Sequence, residues 1–425
     1  MQRIWYFLYN IIVIPVFWLL LQLGSLFNSK IRRGKRGRVH LFESLEQQAM
    51  GLKASRRIWF HSSSMGEFEQ AKPIIAALRE KYSDLNIIVS FFSPSGYDHS
   101  RNYKPADLIT YIPFDTAANA RRFLTLIRPS AAVMVRYDIW PNHVWELKKR
   151  NIPAFIANAT MRRNSSRLKF PLRDFHRRLY QQLTSILAVS ASDVKSFERI
   201  GVRAPQVQAI GDTRYDQVWS RSLEARKKHL IPDAILRRRK VFVVGSSWEE
   251  DEEVILPTFK KIIQYDANAL MILVPHEPNL QTLERIEIQL NSSPGSIRFS
   301  DLNDYSGERI ILVDSIGILT ALYQYATVAY VGGSFKQGIH NVLEPAVYGI
   351  PVLYGPKHHN SQEAIELAHR GGGFVVHDQQ DCYKTLRTLL NNKKATTKAG
   401  SISISLVKEN MGATDRFIEH LEKIL

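Results

Sequence analysis

Residues 57–93 read RIWFHSSSMGEFEQAKPIIAALREKYSDLNIIVSFFS, and they hold the clearest indication of architecture in the chain. The segment begins with a short apolar run rich in branched and aromatic residues, which is typical of a buried strand. A loop of serines follows, then a helical pattern over 67–82, and then a second apolar run at 86–92. A strand, a helix and another strand in this order predict two parallel strands with the helix packed on one face of the sheet.

The same alternation extends through the rest of the chain in two series. The later apolar runs of the first series are AAVMV (131–135), IPAFIANAT (152–160) and SILAVS (185–190), and those of the second are KVFVVGSS (240–247), ALMILVPH (269–276), RIILVD (309–314), TVAYVGG (327–333) and PVLYG (351–355). A polar, basic segment separates the two series. We therefore expect an α/β protein with two doubly wound Rossmann-like domains, which face a cleft because ligands bind outside the carboxyl ends of such strands.

The predicted boundaries follow these changes in pattern. They are an N-terminal membrane anchor and basic linker at 1–38, a first Rossmann-like domain at 39–210, an interdomain linker at 211–239 and a second Rossmann-like domain at 240–425.

Composition narrows the class of protein. The 425 residues are 45% hydrophobic, which is enough for more than one buried core and excludes wholesale disorder. Fifty-seven Lys and Arg against 40 Asp and Glu give a net charge of +17, which favours a polyanionic partner: nucleic acid, an anionic membrane surface or a phosphorylated substrate. The single cysteine, Cys382, excludes an intramolecular disulfide and a Cys-based zinc site, and it fits a reducing, cytosol-facing location.

The N-terminal segment is apolar enough for a membrane. Residues 4–27, IWYFLYNIIVIPVFWLLLQLGSLF, carry no formal charge and would cross the roughly 30 Å hydrocarbon core as a helix. Six basic residues follow within 30–38 and only Arg3 precedes, which predicts that the rest of the chain is cytoplasmic. A cleaved signal peptide has the opposite polarity. We expect a retained anchor that spans or lies in the interface, with a buried helix of a soluble protein as the alternative.

The loop HSSSMGE at 61–67 joins a predicted strand to a predicted helix, a position that exposes what it carries. Free N–H groups at the start of a helix favour an anion there, and Gly66 permits close backbone approach. Glu67 is either a general base or a first-turn glutamate favoured by the helix dipole. The residues alone leave both interpretations open.

Two glycine loops follow strands of the second series. Gly245 precedes an acidic stretch, 249–253, which we interpret as a solvated helix start rather than a metal site. Gly332 and Gly333 precede His340, Asn341 and Glu344, which lie at the predicted start of a helix. Backbone N–H groups of such a loop could hold a phosphate, and the glutamate could accept hydrogen bonds from ribose hydroxyls. The alternative is a packed loop without a ligand.

Several classes of site lack their patterns in this sequence. The chain has neither the dinucleotide-binding G-x-G-x-x-G nor the P-loop pattern. His358 and His359 adjoin each other without a carboxylate pair at ligand spacing, so we expect no metal site. The basic residues are not interleaved with an aromatic RNA-binding motif, so we expect no nucleic-acid partner.

The ordered set of motifs resembles the bacterial 3-deoxy-D-manno-octulosonic acid (Kdo) transferases, and the resemblance covers nearly the whole chain. The matching motifs are HSSSMGE (61–67), PFD (113–115), WPN (140–142), GDTRYD (211–216), GSSWEEDEE (245–253), VPHEP (274–278), DSIGIL (314–319), VGGS (331–334) and HNVLEP (340–345). The family has the GT-B fold, and its members transfer Kdo from CMP-Kdo to a lipid A precursor.

The resemblance implies a role for each domain and for particular residues. It implies an acceptor-binding first domain, a CMP-Kdo-binding second domain, and an inverting reaction at the inner membrane with Glu67 as the catalytic base. Asp138 stands where the family has its second acidic residue, a glutamate. The implied nucleotide-binding residues are Pro275, His276, Ile316, Gly317, Ile318, Asn341 and Glu344. Glu277 and Ile318 mark two departures from the family pattern: the family has Pro-Arg-His where this chain has Pro275-His276-Glu277, and Gly-Glu-Leu where it has Gly317-Ile318-Leu319.

The resemblance also indicates the partners. They are CMP-Kdo, a lipid A precursor of the lipid IVA type and an anionic membrane surface, with no resident cofactor. Seven basic residues within 162–178 would attract anionic headgroups, although a solvated helix face is the alternative. Arg214 is placed to meet the donor carboxylate.

Two other functions remain to be weighed. One is a membrane-associated GT-B transferase that uses a uridine sugar nucleotide, which a donor screen would distinguish. The other is a membrane-tethered binding scaffold that has lost catalysis, against which the chain keeps Glu67 and the segment 340–345.

Overall fold

The computed structural model describes residues 2–290 and 295–424 and divides into two compact units. Unit 1 comprises residues 1–217 together with 411–425, and unit 2 comprises residues 218–410. Each unit contains one seven-stranded sheet in which neighbouring strands are parallel. The predicted α/β class with two doubly wound Rossmann-like sheets is confirmed.

In unit 1 the first strand of the chain lies in the interior of the sheet, and later strands add on either side of it. The strands are β1 (Arg57–Ser62), β2 (Asn86–Phe91), β3 (Leu108–Tyr111), β4 (Ala131–Val135), β5 (Ala154–Ala159), β6 (Ser185–Ala188) and β7 (Val207–Ala209). The order β3-β2-β1-β4-β5-β6-β7 reverses between β1 and β4, where the chain crosses from one half of the sheet to the other.

Helices connect these strands, as parallel pairing requires, and further helices precede β1 and follow β7. They are α1 (Gln2–Leu8), α2 (Ile14–Phe27), α3 (Ser29–Arg36), α4 (Leu41–Met50), α5 (Met65–Lys81), α6 (Pro94–Ser100), α7 (Ala117–Ile127), α8 (Pro141–Lys149), α9 (Leu172–Tyr180), α10 (Ala191–Ile200) and α11 (Thr213–Ala225). A π-helical turn, Tyr9–Val13, joins α1 to α2, and a 3₁₀ turn covers Ser166–Leu168.

Unit 2 repeats this plan. Its strands are β8 (Lys240–Ser247), β9 (Ala269–Pro275), β10 (Ser296–Arg298), β11 (Ile310–Leu312), β12 (Val328–Val331), β13 (Val352–Tyr354) and β14 (Gly373–Val375), in the order β10-β11-β9-β8-β12-β13-β14. Its helices are α12 (Asp233–Leu236), α13 (Glu249–Tyr265), α14 (Leu280–Leu290), α15 (Leu319–Leu322), α16 (Leu343–Ala346), α17 (Gln362–Arg370), α18 (Gln379–Asn391) and α19 (Lys393–Glu409), with 3₁₀ turns at Phe299–Asp304 and Tyr323–Tyr325.

The central strands are buried along nearly their whole length because each sheet packs on both faces. Neighbouring residues of β1 show this, since Trp59 belongs to one buried cluster of unit 1 and Phe60 belongs to the other. Every residue of β4, AAVMV, is buried. The continuous apolar runs of the sequence therefore predicted buried parallel strands correctly.

The second unit ends earlier in the chain than the predicted second domain, 240–425. The last helix, α20 (Ala413–Glu422), lies in unit 1 because Phe417 and Leu421 join one of its buried clusters. Asp216 fixes its start by accepting the N–H groups of Gly412 at 2.6 Å and Thr414 at 2.8 Å. Unit 1 is therefore assembled from both ends of the sequence.

The N-terminal helix is seated on unit 1. Residues Arg3–Phe27 are long and apolar enough to cross a membrane by length and composition. The helix also contacts the unit through polar groups: Trp5 Nε1 donates to Asp174 at 2.7 Å, and Asn10 exchanges amide hydrogen bonds with Asn142 at 3.0 and 3.1 Å. The polar interruption Asn10 in the apolar run therefore has a partner in the folded chain.

The side of this helix that faces unit 1 keeps its register through the π-helical turn. Partly buried positions recur at Trp5, at the adjacent Tyr9 and Asn10, and at Ile14, Phe17 and Leu21. The spacing is three or four residues except from Tyr9 to Ile14, where it is five. Because a π turn adds one residue, Tyr9–Val13 absorbs the extra step and both halves present the same side.

In unit 2, a glycine permits two strand ends to approach closely. Gly332 follows β12, and a Cβ at this position would lie 2.1 Å from the carbonyl oxygen of Ser246 at the end of β8. The obstacle is backbone and cannot rotate away. Any side chain at 332 would push the two strand ends apart.

We therefore predict that Gly332→Ala destabilises unit 2 by about 1–3 kcal/mol, the usual cost of overpacking. Chemical denaturation of the full chain in detergent would measure it as a lower midpoint. Gly66→Ala is the matched control, because a Cβ there meets nothing within 4 Å and should cost less than about 0.5 kcal/mol. Equal midpoints for the two variants would contradict the close approach.

Candidate active site

The carboxyl ends of β1 and β4 lie side by side. The two strands pair in register from Ile58 opposite Ala131 to His61 opposite Met134, and the strand order of the sheet reverses between them. Ligands of open α/β sheets bind at such a reversal. Strand β1 leads to Glu67 in the first turn of α5, and β4 leads to Asp138. The topology thus brings the two predicted catalytic carboxylates to one edge of the sheet.

Glu67 is both a helix cap and a buried acid. Its Oε2 accepts the backbone N–H groups of Ser63 at 2.7 Å and Ser64 at 3.2 Å, while only 5% of the residue is exposed. Burial, followed by the charge of Asp138, raises the pKa of Glu67 from 4.5 to about 7, although both N–H groups oppose the shift. A carboxyl group with this pKa can accept a proton from a hydroxyl near neutral pH. Glu67 therefore fits both interpretations, the first-turn glutamate of a helix and a general base.

Asp138 is held ionised beside it. Its Oδ2 accepts hydrogen bonds from His61 Nε2 at 2.7 Å, from the Ser63 hydroxyl and from Trp140 Nε1 at 3.3 Å. Burial acts to raise the pKa of Asp138, but these donors, with His61 foremost, outweigh it and lower that pKa. Ser63 thus binds both carboxylates, Glu67 through its N–H group and Asp138 through its hydroxyl.

His61 orients Asp138 from inside the protein. The ring is fully buried, and its Nδ1 lies 2.8 Å from Ser90 Oγ, which accepts the indole N–H of Trp59 at 2.8 Å. His61 Nε2 lies 2.7 Å from Asp138 Oδ2 and 3.0 Å from Trp140 Nε1, so the ring contacts both the carboxylate and the indole that binds it. His61 belongs to a quoted motif, but sequence reasoning gave it no role.

Asp115 fixes the segment that follows Asp138. This buried carboxylate accepts the N–H groups of Asn142 at 3.0 Å and His143 at 3.2 Å, at the start of α8, and also His143 Nδ1 at 2.6 Å. A carboxylate at a helix N-terminus is favoured by the helix dipole. Asp115 also accepts the hydroxyl of Tyr9 at 2.8 Å from the N-terminal helix. The PFD and WPN motifs therefore share one structural role.

A second polar region lies where β8 and β12 end. These strands pair from Val328 opposite Phe242 to Val331 opposite Gly245, and the strand order of unit 2 reverses between them. Beyond β12, the N–H group of Gly333 donates to Asp251 at 2.7 Å. The glycine loop is therefore held by a carboxylate of the neighbouring helix α13.

The acidic start of α13 is not wholly solvated, so our interpretation of 249–253 is wrong for two of its residues. Asp251 and Glu252 are buried. Asp251 accepts the Tyr330 hydroxyl at 2.7 Å as well as Gly333 N–H, and burial nevertheless raises its pKa. Glu252 accepts the Ser247 hydroxyl at 2.8 Å. A run of acidic residues in the sequence does not show which of its side chains are buried. That depends on which side of the helix packs against the sheet.

Three rings stack at the edge of unit 2. His276 stacks on Trp248, with ring centroids 4.5 Å apart, and on His340, with centroids 4.6 Å apart. Trp248 Nε1 also donates to His340 Nε2 at 3.0 Å. Burial, followed by His276, lowers the pKa of His340. Sequence reasoning selected His276 but missed Trp248. Each of these residues directly follows one of two neighbouring strands, β9 and β8.

The other predicted nucleotide-binding residues lie on three segments of unit 2. Pro275 is buried at the end of β9, whereas Ile316 is 87% exposed on a loop in which Gly317 has open space at its Cβ position. Asn341 Nδ2 donates to Glu344 Oε1 at 3.3 Å, at the start of the four-residue helix α16. Ile318 packs partly against a buried cluster.

Within the described residues, no cluster of three or more His, Cys, Asp or Glu side chains could hold a metal ion. Arg214, predicted to meet the donor carboxylate, donates to Asp212 through Nε at 2.8 Å and a terminal nitrogen at 2.7 Å. That role remains a prediction.

Known proteins similar to this chain form a consistent set. Residues 34–217 match a family described as 3-deoxy-D-manno-octulosonic-acid transferase (kdotransferase). The 3-deoxy-D-manno-octulosonic acid transferase of Haemophilus influenzae is 26% identical over 374 residues, 87% of each chain. That of Aquifex aeolicus is 28% identical over 341 residues, 79% of this chain and 87% of the relative. Among solved structures, the UDP-GlcNAc 2-epimerase of Neisseria meningitidis has a TM-score of 0.62 at 15% identity over 86% of this chain and all of the other, a likeness of fold alone.

Removal of the Asp251 carboxylate should lower the stability of unit 2. We predict that Asp251→Ala lowers the free energy of unfolding by about 1–3 kcal/mol for each donor left without a partner. Glu253→Ala, at an exposed position in the same helix turn, is the matched control. Denaturant titration followed by tryptophan fluorescence would compare them. If Asp251→Ala were as stable as Glu253→Ala, Asp251 would not anchor the glycine loop.

Proposed function

We propose that this chain, which belongs to the 3-deoxy-D-manno-octulosonic acid (Kdo) transferase family and is a glycosyltransferase, transfers Kdo from CMP-Kdo to a lipid A precursor of the lipid IVA type. The observation that carries the proposal is the buried carboxyl of Glu67 with its raised pKa, next to ionised Asp138. A transferase that uses a hydroxyl as acceptor needs a base of this strength.

The proposed reaction is an inverting displacement. An acceptor hydroxyl attacks the anomeric carbon of Kdo, the bond from that carbon to the phosphate oxygen breaks, and cytidine monophosphate leaves with the bonding pair. Glu67 takes the hydroxyl proton. Both backbone N–H groups engage Oε2 of Glu67, so Oε1 is the oxygen we assign to the acceptor. Asp138 raises the pKa of this base and lies in the same hydrogen-bonded cluster through Ser63.

For the donor, we propose the residues of unit 2 at the reversal of its strand order. The ring of His276 is exposed, and an aromatic face of this kind can stack on a nucleobase. Asn341 and Glu344 present amide and carboxylate groups suited to ribose hydroxyls. The full proposed set is Pro275, His276, Ile316, Gly317, Ile318, Asn341 and Glu344. The proposed reaction needs no resident cofactor.

For the location, we propose the cytoplasmic face of the inner membrane. The N-terminal helix supplies an apolar surface, and Lys30, Arg33 and Arg36 follow it directly. A basic segment next to an apolar one is attracted to anionic lipid. Because the helix is bound to unit 1 at Trp5, Tyr9 and Asn10, we favour an anchor that lies in the interface over one that spans the bilayer.

Glu67→Gln should abolish most transfer while leaving the fold intact. We expect a loss of about 10²–10⁴-fold in kcat, since glutamine fills the same space but cannot take a proton. The assay would use full-length protein in detergent, CMP-Kdo generated in situ and a tetra-acylated lipid A precursor, with product quantified by mass spectrometry. Glu80→Gln, exposed at the far end of the same helix, is the matched control. Activity of Glu67→Gln within threefold of the wild type would exclude Glu67 as the base.

The pH profile should report the same group. Protonated Glu67 cannot act as a base, so wild-type kcat/KM should fall tenfold per pH unit below about 7. Asp138→Asn removes the neighbouring negative charge, and this should shift the acid limb to lower pH. The shift should be partial because burial, the larger cause, remains. A wild-type limb near pH 4.5, or a limb moved to higher pH by Asp138→Asn, would contradict the assignment.

A further inference from the structure

A cavity lies between the N-terminal helix and the rest of unit 1. It measures about 290 Å³. Its apolar walls include Val13, Ile14 and Phe17 from the helix and Tyr137, Ile139 and Trp140 from the segment after β4. We call this space the helix cavity.

We propose that the helix cavity binds one acyl chain of the acceptor lipid, an inference that rests on the proposed function. Most of the cavity lining is aliphatic or aromatic, which suits hydrocarbon, and its charged members are Asp138 and Arg167. A lipid A precursor carries several acyl chains on the sugar that must reach Glu67.

One of the two proposed catalytic residues, Asp138, lies in the wall of the cavity. Trp140 also belongs to this wall and donates to Asp138. The Ser63 hydroxyl also binds Asp138, while its N–H group binds Glu67. One residue therefore separates the cavity wall from the base. A chain in this space would hold the sugar that bears it beside Glu67.

A chain could enter from a lipid layer without crossing water. The outer side of the same helix is apolar and exposed, with Ile11 63% and Leu20 61% accessible. This outer side and the cavity wall are two sides of one helix. A lipid layer that covers the outer side would lie next to the cavity.

Arg167 supplies a cation at the wall. Its guanidinium donates to the Tyr180 hydroxyl at 3.0 Å and to the Tyr137 carbonyl oxygen at 3.3 Å, which fixes its position. Arginine pairs well with phosphate, the charged group of a lipid A precursor. The cavity thus combines an apolar wall for a chain with a cation for its headgroup.

The test is photo-crosslinking of full-length protein in liposomes. The probe is a tetra-acylated, bisphosphorylated glucosamine disaccharide with a diazirine at the end of one acyl chain. We expect label on peptides that contain Ile14, Phe17 or Tyr137, and competition by the unlabelled acceptor. Ile14→Trp fills the cavity and should reduce this label at least fivefold. Leu20→Trp, on the exposed side of the same helix, is the matched control and should leave it unchanged.

The kinetic arm uses the same variants. We expect Ile14→Trp to raise the KM for the tetra-acylated acceptor at least tenfold, with Leu20→Trp unchanged. Val13→Trp provides a second filling variant, and circular dichroism would verify that each variant folds.

The outcomes separate the two proposals. Label confined to the exposed side of the helix, or equal in Ile14→Trp and the wild type, would overturn the acyl-chain site even if transfer proceeds. Cavity label without transfer by the wild type would retain the lipid site and refute the proposed reaction.

Discussion

Ser63 makes the interaction on which the candidate site of unit 1 depends. Its backbone N–H group binds Glu67 and its hydroxyl binds Asp138, so two carboxylates from distant parts of the sequence share one partner. Two like charges in a buried place are costly unless their environments differ. Here the donors around Asp138 keep it ionised, while burial raises the pKa of Glu67 to about 7. Division of roles between the two carboxylates follows from this difference: one is a fixed charge and the other is free to exchange a proton.

The N-terminal helix is also positioned by a buried carboxylate. Asp115 accepts N–H groups from the start of α8 and the hydroxyl of Tyr9, so one buried carboxylate positions both the segment after Asp138 and the helix. Asn10, which interrupts an otherwise apolar run, pairs with Asn142 of the same segment. An apolar helix held in this way by hydrogen bonds is a wall of unit 1, and in our proposal it is also the surface that meets lipid. The proposed acceptor site and the proposed anchor therefore share the N-terminal helix.

Sequence reasoning predicted the two sheets because buried parallel strands are continuous apolar runs, as AAVMV at 131–135 shows. It also selected Glu67 and Asp138, but only the resemblance to a family favoured catalysis over capping. It missed His61, Trp248 and Asp251, whose roles arise from contacts across strand ends that no local pattern reveals. It placed α20 in the wrong half because the fold of a chain end depends on long-range packing of Phe417 and Leu421.

The most direct test of the account is a structure of the full-length chain with CMP and a tetra-acylated acceptor bound. The measured quantity is the distance from the acceptor hydroxyl oxygen to the nearest carboxylate oxygen of Glu67. Our account predicts hydrogen-bond contact, about 2.6–3.2 Å. A hydroxyl that instead contacts another titratable side chain, with Glu67 beyond the reach of a single bridging water, would contradict the assignment of Glu67 as the base.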